Sequence, residues 1–145
     1  MLTTTTVAIL AMAAMATRAP VAQASAAQQD AVKPPATVKD VMTTMTIPAS
    51  DVIFAASSEL PKTDEQWAAL RQGAMTLAES GKLLMTSAFA KDRTAWMERA
   101  GEMVTRAEAT LRVAQAKNSE ALEQASNDVY ETCEACHARY LPPGP

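Results

Sequence analysis

The chain has 145 residues, a mass of 15.4 kDa and a formal charge of −3, which suits one domain and leaves little room for a second. Six aromatic residues, four glycines and 31 alanines argue against a sheet protein or a nucleotide-binding α/β enzyme, and for helices packed through small residues. The 16 acidic and 13 basic residues are intermixed, so no basic stripe exists to carry a phosphate backbone and nucleic-acid binding is disfavoured.

Val7 to Ala16 is a ten-residue apolar run, followed by small and polar residues ending in Ala22-Gln23-Ala24. This pattern predicts a signal peptide over residues 1–24 with an A-x-A cleavage site near Ala24, although its start carries no Lys or Arg. The run is too short to span about 30 Å of hydrocarbon, so the mature chain is expected in the periplasm without stable membrane insertion. Arg18 is the only charged side chain removed with the leader, which leaves 121 residues with a formal charge of −4. Residues 25–35 are rich in Ala and Gln and end in Pro34-Pro35, a flexible lead-in. The domain is then residues 36–145.

Val38, Val41, Met42, Met45, Val52 and Ile53 come at helical spacings that Pro48 interrupts, predicting one helix kinked there or two short ones. Ser57, Ser58 and Pro61 mark a turn. Thr63-Asp64-Glu65-Gln66 fits a capping box. Behind it Trp67, Leu70, Ala74, Leu77, Gly81, Leu84 and Ala88 alternate three and four apart, the seam of a bundle helix. A further helix starts near Asp92 or Thr94 with the stripe Trp96, Ala100, Met103, Ala107, Leu111 and Ala114. On its more polar surface Glu102 and Arg106, and Glu108 and Arg112, stand four apart and can pair. Lys117-Asn118-Ser119 breaks it. The last helix carries Leu122, Ala125, Val129, Cys133, Cys136 and Tyr140, and Pro142-Pro143-Gly144-Pro145 stops it. The fold class expected is all-α, an antiparallel four-helix bundle with short connections.

Cys133-Glu134-Ala135-Cys136-His137 carries the chemistry. Cys-x-x-Cys-His is the attachment signature of c-type haem, in which two thiols add across vinyl groups and the adjacent imidazole reaches iron. Positions three apart lie on one helix face, export suits such attachment, and His137 is the chain's single histidine. Three rivals are a redox dithiol, a structural disulfide and a metal site. A dithiol is normally found at a helix start beside a βαβ pattern, whereas this motif stands near a helix end. Zinc would need a fourth ligand, and no other Cys or His exists to provide it.

A haem motif at the C-terminal end of a four-helix chain, after a leader and with Tyr140 three residues beyond His137, resembles the class II cytochromes c, the family of cytochrome c-prime and its low-spin relatives. The resemblance covers about residues 36–141. It implies one covalent haem c with its iron, linked to Cys133 and Cys136, with His137 as proximal axial ligand, and it matches Val41-Met42 to the family's distal segment. Many members place an arginine one turn before the distal residue, near a haem propionate. Here Val38 stands four before Met42 and Val41 four before Met45, with Lys39 as the substitute at hand.

For the distal iron ligand, Met42 is the first choice and Met45 the second, one turn apart on one face, although methionine is also ordinary bundle filler. Val41, Leu70, Leu77, Val129 and Tyr130 are candidates for the haem pocket wall, with Tyr140 joining them from the resemblance. Trp67 and Trp96 are read as core aromatics or bundle-end covers, and Arg139 as a surface charge that could steer a partner.

The function expected is a periplasmic monohaem electron carrier serving redox partner proteins, not an enzyme, since no acid-base pair or nucleophile constellation stands out. The alternative in the same fold is a high-spin cytochrome binding or scavenging small gases such as NO or CO. A haem-free helical interaction module is the third reading. The resemblance also allows a homodimer.

Overall fold

The computed structural model describes residues 36–141. The expected leader, the lead-in over residues 25–35 and the terminal Pro142–Pro145 stop lie outside the described residues.

Among the described residues the chain is all-helical. Helix α1 begins as Val38–Val41, passes through a π-helical turn at Met42–Thr46 and continues as Ile47–Ser58; α2 is Asp64–Leu84, α3 Ala95–Gln115 and α4 Leu122–Tyr140. The four helices pack against one another, α2 on α1 and α3, and α4 on α3 and α1. No described helix is long and apolar enough to cross a membrane.

The first helix runs through Pro48 without a break and widens just before it. The Ile47 amide donates to the Met42 carbonyl, five residues back, so the chain makes a π turn and Pro48 enters as the first turn of the following α segment. Proline has no amide to donate and its ring crowds the preceding turn. A π turn relieves both demands without ending the helix. A capping box starts α1, where Thr37 Oγ1 accepts from the Asp40 amide and the Asp40 carboxylate accepts from the Thr37 amide at 2.7 Å.

The predicted cap of α2 forms as expected: the Gln66 amide donates to Thr63 Oγ1, and Gln66 Oε1 accepts from the amides of Thr63 and Lys62. Trp67, Leu70, Ala74, Leu77, Gly81 and Leu84 are all buried. The seam does not extend to Ala88. The helix ends at Leu84, a turn follows in which Thr86 O accepts from the Phe89 and Ala90 amides, and Phe89 is buried while Ala88 is exposed. Helix α3 starts at Ala95, capped by Asp92 Oδ1, which accepts from the Thr94 and Trp96 amides at 3.0 Å each. It buries Trp96, Ala100, Met103, Ala107 and Ala114, with Leu111 half-buried and Thr110 wholly buried. Thr110 was hidden in the sequence because its hydroxyl satisfies itself locally, donating to the Arg106 carbonyl.

The charges on α3 pair differently from the expected four-residue steps. Arg106 binds Asp128 of α4 at 3.0 Å, Glu108 meets Lys82 of α2 at 3.3 Å, and Glu102 takes Arg99 at 2.6 Å. Two of these reach neighbouring helices, which a single-helix count cannot anticipate. Lys117, after α3, binds Asp64 at the start of α2 and adopts φ 50° in the turn toward α4.

Two glycines set helix separation. A Cβ on Gly73 would stand 3.1 Å from both the Ala49 carbonyl oxygen and the Val52 Cβ, and one on Gly81 would come within 2.7 Å of Val104 Cγ2. These are the close approaches of α2 to α1 and to α3.

Candidate functional site

The last turns of α4 present Cys133, Cys136 and His137 to a cleft that is also lined by Met42, Thr46 and Ile47 of α1, Leu84 of α2, Trp96, Arg99, Ala100 and Met103 of α3, and Thr132. All four helices contribute. The cleft encloses about 60 Å³, room for more than one water, but its walls are almost entirely carbon and sulfur. Its two hydroxyls are committed elsewhere: Thr46 Oγ1 donates to Ser80 Oγ at 3.1 Å, with Ser80 donating onward to the Leu77 carbonyl, and Thr132 Oγ1 donates to the Val129 carbonyl. Among the described residues no buried side-chain polar atom lacks a partner. What remains for chemistry is two thiols, an imidazole, two thioethers, those of Met42 and Met103, and one guanidinium.

Cys133 and Cys136 are half-buried free thiols. Burial pushes both thiols up from their usual value; the Thr132 hydroxyl opposes this at Cys133 and the Arg99 charge opposes it at Cys136. A thiol held protonated near a helix C-terminus is unlike the activated thiolate of a redox dithiol, which is found in electropositive surroundings at a helix N-terminus. Among the described residues no three His, Cys, Asp or Glu side chains are grouped to hold a metal ion by themselves.

The first-choice methionine, Met42, lines the cleft from the π turn, while Met45, also half-buried, is not among the lining residues. The expected wall residues stand elsewhere. Val41, Leu70, Leu77 and Val129 are buried in the bundle core without lining the cleft. Tyr130 is 52 % exposed, packs edge-on against Phe54 and donates to Glu134 Oε1 at 3.0 Å. Tyr140 sits behind the wall, edge-on to Trp96 with ring centroids 4.9 Å apart. Lys39 is exposed beside Asp40 and does not line the cleft.

The actual wall is built by residues at the level of the motif: the end of α2, the first three turns of α3, and the π turn of α1 with Ile47 after it. Counting back from the motif's place near the end of α4 to the start of α3 would have found Trp96, Arg99, Ala100 and Met103. Periodicity alone reports which face is buried, not at which level a cleft opens.

A hydrogen-bond cluster braces this end. Tyr140 Oη donates to Asp92 Oδ2 at 2.5 Å, Asp92 caps α3, and the Trp96 indole N–H donates to the Leu84 carbonyl at 2.6 Å. The Tyr140 contact and the α3 amides hold the Asp92 carboxyl down to about 2. Arg139 lies over the Tyr140 ring, its guanidinium carbon 5.6 Å from the centroid.

Compared with protein-family models, curated proteins and solved structures, the chain gave no match.

Proposed function

We propose that this chain is an exported, periplasmic monohaem cytochrome of the class II type, an antiparallel four-helix bundle acting as an electron carrier between redox partner proteins. The observation that carries the reading is a single apolar cleft lined by Cys133, Cys136 and His137 from α4 and by Met42 from α1. The donor set fits haem c. The two thiols are free and three residues apart on one helix, so each would add as S–H across one vinyl group of the haem with nothing released. His137 would hold the iron through a ring nitrogen and Met42 through its sulfur, a ligand pair that would raise the potential relative to thiolate ligation.

When bound, the group supplies one-electron exchange at its iron. The chain's residues would do the rest: Cys133 and Cys136 would fix the group's position, His137 and Met42 would hold its iron, and Trp96, Leu84, Ile47, Ala100 and Met103 would keep water from it.

Protein matured in a host with c-type haem assembly should show, by intact mass, one haem added after loss of residues 1–24, and a low-spin, six-coordinate spectrum. Met42→Ala should open the iron to carbon monoxide and Met45→Ala should not. A bare polypeptide mass, in a host that loads a control cytochrome, would sink the haem reading. A high-spin wild type that binds carbon monoxide or nitric oxide without displacing a protein ligand would replace the carrier with a gas-binding protein.

A further inference from the structure

Arg99 is the one charged side chain that α1, α2 and α3 contribute to the cleft. Its side chain is about one-third exposed, and its Nη1 donates to Glu102 at 2.6 Å. A guanidinium has five N–H donors in a planar fork. Glu102 engages one nitrogen, and the carbon and sulfur around the group provide no further acceptor from the cleft wall. With Glu102 on one nitrogen, the rest of the fork is left to bond water or a second anion that enters the cleft. Arg99 lines the same cleft as Cys136, one of the two attachment points. The other cationic candidate, Lys39, is exposed and outside the cleft.

We infer that Arg99 is the anion-binding element of this cleft, and that it takes a carboxylate carried by the bound cofactor, a haem propionate under the reading above, on which this inference rests. Arginine suits that task because its fork matches the two oxygens of a carboxylate. Glu102 orients the guanidinium and competes with the incoming carboxylate for it. The anchor comes from α3, where the resemblance would have placed it on α1.

The test compares matured wild type with Arg99→Gln, Arg99→Lys, Glu102→Gln and Lys39→Gln, reading haem content by mass, midpoint potential, and the propionate bending band in the resonance Raman spectrum. Removing a positive charge beside the iron favours the ferric state, so Arg99→Gln should lower the potential and shift the propionate band. Arg99→Lys should restore part of the potential but not the band position. Glu102→Gln, which keeps Arg99 and removes its competitor, should raise the potential. Lys39→Gln changes net charge equally and should move the potential least and the band not at all. If Arg99→Gln retains haem with the band unmoved, or with a potential shift no larger than that of Lys39→Gln, Arg99 is not the anchor and the haem reading stands. If Arg99→Gln loads poorly, an unmoved band and potential in Glu102→Gln overturn the inference in its place. A wild type without haem overturns both.

Discussion

Asp92 performs three jobs with one carboxylate: it caps α3 through the Thr94 and Trp96 amides, accepts the Tyr140 hydroxyl, and so ties the last residue of the motif helix to the wall of the cleft. Its carboxyl is held near 2, against an ordinary value of 3.8. A folded-state value below the unfolded one means the contact contributes fully above about pH 4 and is lost as pH falls toward 2. Asp40, Asp64 and Glu65 are also held low by local hydrogen bonds or Lys117, so acid unfolding alone does not isolate Asp92. The difference in melting temperature between wild type and Asp92→Asn does: it should be largest above pH 4 and shrink toward pH 2, and a difference independent of pH would refute the assignment. This brace was only half legible in the sequence. Asp92 stood where a helix start was expected, but its bond to Tyr140 joins residues 48 apart, and no local pattern reports a partner at that distance.

Helix contacts here depend on where a side chain is missing. Adding a methyl group at Gly73 sets it against the backbone of α1, which cannot move aside, and at Gly81 against Val104, whose branched side chain is stiff in a helix. Such overpacking costs about 1–3 kcal/mol, more than the helix propensity gained, about 1 kcal/mol for Gly to Ala. At Gly101 the nearest atom is the flexible Met85 Cε at 3.9 Å, and only the propensity gain remains. Gly73→Ala and Gly81→Ala should therefore lower the urea midpoint and Gly101→Ala should raise it; the same sign at all three would show that close approach is not what selects glycine. The helices themselves were readable, because apolar residues recur every three or four positions and Thr63 with Gln66 spells a cap. The unread parts were those where a polar residue is buried by bonding its own helix, as Ser80 and Thr110 do, or a partner on another, as Thr46 does with Ser80, or where a turn departs from the α-helical period.

At the scale of the molecule, one cleft draws walls from all four helices, so a ligand that fills it buries apolar surface against each of them. Binding the folded chain more strongly than the unfolded one, it stabilises the bundle. Matured protein should unfold at a clearly higher temperature than Cys133→Ala/Cys136→Ala, with sharper near-ultraviolet dichroism; equal midpoints would separate cofactor binding from folding. The placement of the motif near the end of the last helix was legible from Cys133-Glu134-Ala135-Cys136-His137, and so was Met42, but the wall was not, because it depends on how far along each helix its neighbours meet. The π turn extends the same point to comparison between chains. The buried residues of α1 run Val41, Thr46, Ala49, Ser50 and Ile53, and the step of five across the turn exceeds the 3.6 residues of an α-helical repeat. Aligning α1 with a regular helix therefore requires a one-residue gap within Met42–Thr46; an ungapped alignment anchored on Ala49 and Ile53 assigns every position before the turn to its neighbour, and with it the residue that faces the cleft.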